Sequence, residues 1–318
     1  MTDSGAAMVN FRVSRLSTGS SDPVWVIAVF AHNEADRIGA ALKSVAASAG
    51  GRDIAVYVLA NGCTDSTVDK VRACATALPD LWLVEIQVAD KANAWNLFIH
   101  DIFPQDPAGQ FETCFFMDGD VTLAPAALPL LASALDDVPS AEAAGGMPAT
   151  GRDRDAWRQR MVANGMLAGN CYALRGSFVR RLREQRVRMP VGLIGEDFLV
   201  SWLVASDALR EEIPGEGDAR FVFHGKAEFS FRSLSPWRLA DYRTYLRRKW
   251  RYALRGVQHQ MLVLLLTEQG LRAMPRDVKE LYRNGPLPSR LPGSGRDKLL
   301  HLIAVQWIRR LRTRAANQ

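Results

Sequence analysis

The sequence of 318 residues lacks several features that would place it in a common class of protein. Its longest uninterrupted apolar runs, such as Met261–Leu266, fall far short of the ~20 residues that cross a bilayer. Its four cysteines form no Cys-x-x-Cys pair, which argues against a disulfide framework. There is no internal repeat, and the start of the sequence has no charged-then-apolar export pattern. We therefore expect free thiols and a cytoplasmic location.

The charge of the chain is unevenly distributed. Hydrophobic residues make up 48% and charged residues 23%, which is ordinary for a globular protein. Residues 231–318 carry 19 Lys or Arg and 5 Asp or Glu, a net charge of +14. The 230 residues before them carry 21 basic and 29 acidic groups, a net charge of −8. This contrast predicts an anionic partner for the basic region: phosphate, anionic lipid or nucleic acid.

Apolar runs alternate with helical patterns in the first 120 residues. The predicted strands are Val24–Phe30, Asp53–Ala60, Leu81–Val88 and Cys114–Met117. Between them, Ala35–Ser48 has apolar residues at helical spacing, and Thr64 or Asp65 can cap a second helix. Such alternation is typical of a parallel, doubly wound α/β sheet, in which ligands bind beyond the carboxyl ends of the strands.

Polar clusters follow each of these strands. The strongest is Asp118-Gly119-Asp120, because an apolar strand delivers two carboxylates that together can hold a divalent cation against a diphosphate. The other three are Ala31–Glu34, Asn61–Asp65 and Lys91–Asn96. In series, the four clusters resemble those of the family 2 glycosyltransferases of the GT-A fold. Asp90 stands where that family usually has Gly, and Ala60 where it often has an acidic residue.

The resemblance covers residues 24–255 and implies a site for a nucleotide-sugar donor. Asp118 would face the ribose or base, Asp120 would bind Mn²⁺ or Mg²⁺, and Asn61 would take over base recognition. The remaining donor-binding residues implied in this part of the chain are Ala31, Asn33, Glu34, Asp65 and Lys91. For three of these, simpler roles stay open: Asn33 and Asp65 as helix caps, and Lys91 as a solvated surface charge.

Two later segments extend the resemblance. Glu196-Asp197 matches an acidic pair of the family, in which Asp197 would be the general base and Glu196 an orienting or acceptor-binding group. Helix capping alone is the alternative for this pair. Arg248, Arg251 and Tyr252 resemble the family's Gln/Arg-x-x-Arg-Trp signature, with Tyr in place of Trp, and would contact the departing diphosphate and the sugar. His224 is a candidate second metal ligand.

The implied fold is GT-A, a Rossmann-like and mostly parallel sheet with helices on both faces and a basic helical extension. We expect a flexible leader at 1–22 and a catalytic domain at 23–235, with its donor half at 23–124 and its acceptor half at 125–235. The basic helical region would span 236–318. Its last helix, Lys298–Arg312, either packs on the core or lies peripherally on an anionic membrane.

The implied function is metal-dependent, inverting transfer of a sugar, from UDP-sugar above other donors, to a hydroxyl on a glycan, lipid or small molecule. Three alternatives remain at this point. Asp118–Thr122 also fits the motif of a haloacid-dehalogenase-type phosphatase. A sugar nucleotidyltransferase would need a Gly-rich loop where Ala31–Glu34 stands. The basic region could bind nucleic acid, but it lacks the regular aromatic platform that single strands require.

Overall fold

The computed structural model describes residues 11–17, 23–102, 111–209, 218–232, 239–289 and 295–316. The strands are β1 (Phe11–Arg15), β2 (Trp25–Ala31), β3 (Ile54–Asn61), β4 (Leu81–Ile86), β5 (Thr113–Asp118), β6 (Val121–Leu123), β7 (Ala143–Pro148), β8 (Cys171–Arg175) and β9 (Phe221–Phe231). The α-helices are α1 (Ile38–Ser48), α2 (Thr67–Arg72), α3 (Lys91–Leu97), α4 (Ala127–Asp136), α5 (Arg154–Asn164), α6 (Gly176–Glu184), α7 (Glu196–Ala205), α8 (Leu239–Gln269), α9 (Val278–Asn284) and α10 (Gly295–Ala316). A π-helical turn, Phe98–Ile102, extends α3.

The described strands form one sheet in the order β1-β4-β3-β2-β5-β8-β7-β9-β6. The four strands predicted from the sequence, β4-β3-β2-β5, are parallel to one another, as expected. The other half is mixed: β8 runs antiparallel to β5 and β7, while β7 and β9 are parallel. The carboxyl ends of β2, β3 and β5 therefore meet at one edge, and the polar clusters follow there.

The expectation of a loose leader through residue 22 is wrong for its middle part. Phe11–Arg15 forms β1, which pairs antiparallel with β4 and places Phe11 opposite Ile86. Arg15 also lies 2.9 Å from the carboxylate of Asp80. This segment was missed because only five residues, with two half-buried side chains, form the strand. Residues 1–10 and 18–22 lie outside the described part of the chain.

The sheet is covered on both faces, which is why its central strands are apolar throughout. Alternate residues of β2 divide between two hydrophobic clusters. Val26 and Ala28 join residues of α3, α6, α7 and α8 on one face. Ile27 and Val29 join residues of α1 and α4 on the other. This arrangement holds the carboxyl ends of the strands rigidly in place.

The region after residue 236 is helical where it is described, as predicted, and it shares the main core. Met261 and Leu266 of α8, and Val305 and Ile308 of α10, are buried in the same cluster as α3 and α7. The division of the chain into domains at 235 remains a prediction. Among the described helices, none has the length and apolar character that crossing a membrane requires.

Candidate active site

The turns after β2 and β3 are joined to one another by side chains. Asn33 adopts a left-handed conformation, with φ of 56°, and its Oδ1 accepts hydrogen bonds from the N–H groups of Thr64 and Asp65. Asp65 Oδ2 in turn accepts from Ala35 N at 3.1 Å, and its Oδ1 accepts from Thr67 N at the start of α2. Asn33 and Asp65 therefore hold the two turns together at this edge of the sheet. Asp65 also bonds the first N–H group of α2, which is the helix-capping role that the sequence left open.

Asn61 and Ala31, two predicted donor-binding residues, lie side by side at the ends of neighbouring strands. The buried Asn61 donates from Nδ2 to the carbonyl oxygen of Ala31 at 3.0 Å. Cys63 Sγ donates to the same oxygen at 3.4 Å. A cavity of about 550 Å³ opens beside this turn, lined by Gly62, Cys63 and residues of β1. Sequence analysis missed the contribution of β1 because it missed the strand.

The Asp118–Asp120 turn packs tightly against the end of β2. Gly119 N donates to the carbonyl oxygen of Phe30 at 2.7 Å. A Cβ atom at position 119 would lie 3.0 Å from that same oxygen and 3.1 Å from Ala31 Cβ. A side chain there would therefore push the turn outward, so the glycine is needed for close approach of the backbone. Asp118 and Asp120 are held on either side of it.

Lys91 is the centre of an ionic bridge between two motifs that are far apart in sequence. Its Nζ lies 2.5 Å from Asp118 Oδ1 and 2.5 Å from Glu196 Oε1. Burial acts to lower the pKa of Lys91, but the two carboxylates outweigh it and raise that pKa. Burial raises the pKa of Asp118 to about 6, against the opposing charge of Lys91. Lys91 is therefore not a solvated surface charge.

A second group of charges surrounds Asp120. Arg37 Nη1 lies 3.2 Å from Glu34 Oε2 and 3.6 Å from Asp120 Oδ2. Burial, followed by the charge of Asp120, raises the pKa of Glu34 to about 7. This concentration of negative charge is chemically suited to a divalent cation. Within the described residues, no three His, Cys, Asp or Glu side chains form a metal cage. That fits a cation bound by one or two carboxylates, with substrate phosphates completing the shell.

Glu196 and Asp197 open α7 and are both buried. Asp197 accepts hydrogen bonds from Gly169 N at 3.0 Å, from its neighbour Phe198 N at 3.0 Å and from Arg255 Nη2 at 2.8 Å. Burial acts to raise the pKa of Asp197, but the charges of Arg255 and Lys91 and the Gly169 N–H group lower it below its usual range. The carboxylate is thus ionised at neutral pH, and it does more than cap a helix.

Residues of α8 hold the loop that leads into α7, and sequence analysis missed them. Gln258 Oε1 accepts from Ile194 N at 2.9 Å, and His259 Nε2 donates to Ile194 O at 2.9 Å. His259 also stacks on Phe198, with ring centroids 3.8 Å apart. With Arg255, these residues continue the helix face of Arg248 and Arg251 by further steps of three or four residues. That spacing was the available signal.

The predicted Arg and Tyr residues lie earlier on α8. Arg248, Arg251 and Tyr252 are exposed. Burial raises the pKa of Asp90, and the charge of Arg251 is among the groups that oppose this rise, so Arg251 lies near the start of α3. Asp90 itself caps α3 by accepting from Asn93 N and also accepts from Gly192 N at 2.9 Å. The residue that replaces the family's Gly therefore ties α3 to the loop before α7.

The prediction that His224 completes the metal shell is wrong. His224 follows Phe223, which pairs with Gly145, whereas Phe231 at the other end of β9 pairs with Val121, next to Asp120. Counted along β7, the neighbouring strand, Phe223 and Phe231 lie on the order of 15 Å apart, at about 3.3 Å per residue. His224 instead accepts from Lys226 N within an irregular part of β9. This register could not be predicted from the residues of β9 alone.

The comparisons with known proteins agree with this geometry. Residues 23–197, more than half of the chain, match the family described as Glycosyltransferase like family 2, and the chain belongs to that family. The enzyme class is therefore a glycosyltransferase, which the motifs predicted and which disfavours the phosphatase interpretation of Asp118 and Asp120. No curated protein gives a significant match.

Two solved structures share the fold. A mannosyltransferase, PcManGT from Pyrobaculum calidifontis with GDP-Man and Mn²⁺, is 20% identical, with a TM-score of 0.56 over 94% of this chain and 76% of that one. Residues 1–349 of TarS from S. aureus, with UDP-GlcNAc, are 12% identical, with a TM-score of 0.50 over 91% of this chain and 88% of that one. At these identities the likeness confirms the predicted GT-A architecture.

Proposed function

We propose that the chain transfers a sugar, with inversion, from a nucleoside-diphosphate sugar to an acceptor hydroxyl. The observation that carries the proposal is the Lys91 bridge, which brings Asp118 of the donor cluster and Glu196 of the acidic pair into contact with one ammonium group. Lys91 and Glu196 are 105 positions apart in the sequence, yet they share one crevice at the carboxyl edge of the sheet. A donor and an acceptor bound in this crevice would meet there.

The donor lies, in this proposal, along the carboxyl ends of β2, β3 and β5. Asp120 would hold Mn²⁺ or Mg²⁺, which would neutralise charge on the departing diphosphate, and Asp118 would face the ribose or base. PcManGT was solved with GDP-Man and Mn²⁺, which supports a metal-bound diphosphate in this fold. The base would occupy the cavity beside Asn61 and β1, with UDP the expected nucleotide. Arg248 and Arg251, which are exposed, would contact the diphosphate from α8.

Asp197 is the proposed general base for the acceptor hydroxyl. It is ionised at neutral pH and is fixed by three hydrogen bonds at the start of α7. It would receive the hydroxyl proton as the acceptor oxygen attacks the anomeric carbon and the diphosphate leaves from the opposite side. A positioned base typically contributes ~10²–10⁴-fold to the rate. Glu196 stays paired with Lys91 and orients this part of the crevice.

A nucleotide panel tests the proposal directly. Binding of UDP, GDP, CDP and TDP is measured by calorimetry, each with and without Mn²⁺. We expect one nucleotide to bind in a metal-dependent manner, and Asp120→Ala to abolish that dependence. Asp136→Ala, which removes an exposed carboxylate at the end of α4, before β7 begins at the opposite edge of the sheet, is the matched control and should bind as the parent does. Metal-independent binding, or unchanged binding in Asp120→Ala, would contradict the assignment.

The final helix supports a peripheral contact with anionic membrane, which we propose as the location of the enzyme. α10 buries Ala304, Val305 and Ile308 against the core, so the packing role is observed. Its opposite side exposes Leu299, Leu302 and Ile303, which are 57%, 45% and 47% exposed. An exposed apolar face in a region of net charge +14 suits a surface of anionic lipid.

Vesicle sedimentation tests this contact. We expect the parent chain to sediment with phosphatidylglycerol vesicles, and Leu299→Gln with Ile303→Gln to weaken sedimentation by about tenfold, because two apolar side chains no longer insert. Leu264→Gln, an exposed leucine on α8, is the control. Equal sedimentation of the double variant and the control would exclude α10 as the docking face.

A further inference from the structure

A cavity of about 930 Å³ lies on the side of α3 that faces away from the candidate active site. It is bounded by Asn93 and Asn96 of α3, by residues 185–191 after α6, and by residues 269–276 after α8. Asn93 is about 200° around the helix from Lys91, at 100° per residue. The cavity and the crevice therefore lie on opposite sides of one helix.

The charge that lines this cavity is all of one sign. Arg186, Arg188, Arg272 and Arg276 line it, and its described lining contains no Asp or Glu. Arg188 is paired with Asp101, with an N–O distance of 3.1 Å. Among the described residues, no ion pair joins the other three guanidinium groups to a carboxylate, although Glu280 Oε2 accepts a hydrogen bond from the backbone N of Arg276 at 2.8 Å. Three like charges around one concave space repel one another, and an anion placed among them would remove that repulsion.

The wall that carries Arg186 and Arg188 is rigidly fixed to α3. Asn96 donates to Met189 O at 2.8 Å and accepts from Met189 N at 2.7 Å. His100 donates to Val187 O at 2.9 Å. These three hydrogen bonds hold the backbone on both sides of Arg188. Arg186 and Arg188 therefore lie on a segment whose backbone is already fixed, so less entropy is lost when a ligand binds.

Arg186 occupies a position that favours glycine. It follows α6 with φ of 53°, and Val187 N closes the helix end by donating to Leu182 O. This is the left-handed position after a helix, where glycine is usual and a side chain costs conformational free energy. A residue with a Cβ atom at position 186 therefore lowers the stability of the fold. Arg186 nevertheless occupies this position, where it lines the cavity.

We propose that this cavity is a second anion-binding site, distinct from the donor site, that takes a phosphate-bearing ligand. Guanidinium groups bind phosphate oxygens through paired N–H donors, and a cavity of this size accommodates more than a single phosphate. Gln185 and Gln269 also line the cavity, and Gln185 is held there by its Nε2, which donates to Leu209 O at 3.0 Å. A soluble organic phosphate and a phospholipid headgroup share this chemistry.

Calorimetry with inorganic pyrophosphate in the presence of EDTA tests the site, because the acidic donor crevice has no cation under those conditions. We expect Arg272→Gln with Arg276→Gln to weaken pyrophosphate binding by about tenfold or more, as lost charge-assisted hydrogen bonds predict. Arg152→Gln with Arg160→Gln removes two exposed arginines elsewhere and serves as the matched control. Equal weakening in both double variants, or no binding by the parent to either pyrophosphate or phosphatidylglycerol vesicles, overturns the proposal.

Binding of the same variants to phosphatidylglycerol vesicles is measured in a second experiment. Weakening by the cavity variant with vesicles alone identifies a lipid headgroup, and weakening with pyrophosphate identifies a soluble phosphate; each supports the site. Arg186→Gly separates binding from folding: we expect an unchanged or higher melting temperature together with weaker binding. A lower melting temperature with unchanged binding would contradict the role of Arg186. Metal-dependent UDP binding is measured on the same variants and should not change, so this proposal and the donor assignment fail independently.

Discussion

The donor cluster and the acidic loop before α7 are built in different ways. In the donor cluster, each functional side chain lies at the end of its own strand or within a few residues of it, as Asp118 is the last residue of β5. In the loop, Asp197 is held by Arg255, which lies 58 residues further along the chain, and Ile194 is held by Gln258 and His259. Local sequence therefore determines the first region, whereas a remote helix determines the second. Substitution of Arg255, Gln258 or His259 should therefore disable the loop and leave donor binding intact.

The largest expected effect distinguishes sugar transfer, which depends on the acidic loop, from donor binding, which does not. Asp197→Asn should leave donor affinity within a few-fold of the parent and lower transfer by ~10²-fold or more, because the amide cannot accept the acceptor proton. The measurement pairs calorimetry of the donor nucleotide with an assay of nucleoside diphosphate release. Asp153→Asn, at an exposed position, is the control. Transfer at the parent rate in Asp197→Asn would assign the base to another residue.

The next effect tests whether α8 acts through Asp197. Arg255→Gln should raise the pKa of Asp197, because a neighbouring positive charge that lowers it is removed. The acid limb of the pH–rate profile should then move to higher pH, while donor binding is unchanged. Unfolding free energy should fall by about 2 kcal/mol, because a buried carboxylate loses its partner.

Arg255→Lys provides the comparison for that experiment. It keeps the charge and should restore most of the pH profile, although it cannot reproduce the planar guanidinium geometry. An acid limb that stays at the parent pH in Arg255→Gln would show that Arg255 is structural only.

The smallest expected effect concerns stability. Burial, together with the charge of Arg255, lowers the pKa of His259 to about 3. The unfolded chain binds a proton at this histidine below pH ~6.5 and the folded chain does not, so stability decreases as the pH falls below that value. Between pH 7 and 5.5 the parent should lose about 1 kcal/mol more than His259→Asn.

Chemical denaturation at the two pH values provides this measurement. His301→Asn, the same substitution at a histidine on α10, is the control for the substitution itself. An identical pH dependence in the parent and His259→Asn would show that His259 is not held neutral by the fold.

The same contrast explains how far the sequence alone could lead. The four parallel strands and the residues that end them were predictable, because Asp118 and Asn61 follow an apolar run directly and Asn33 follows one within three residues. His224 was misplaced because nothing local specifies the register of β9 against β6. Arg255 and Asp90 were missed because their roles depend on contacts with residues 58 and 102 positions away. Short strands such as β1 are also difficult to recognise without their partner.

The Lys91 bridge has a thermodynamic consequence. Asp118 and Glu196 share one ammonium group, whose single charge balances only one carboxylate, so any cation or diphosphate that changes the charge at Asp118 also changes the share of that ammonium available to Glu196. Under the proposed function, binding of donor and acceptor would therefore be coupled, and by linkage each would alter the affinity for the other by the same factor. We expect a double-mutant cycle of Asp118→Asn and Glu196→Gln on nucleotide affinity to be non-additive; additivity would show that the two subsites are independent. A lysine between two carboxylates would thus make each substrate change the affinity for the other.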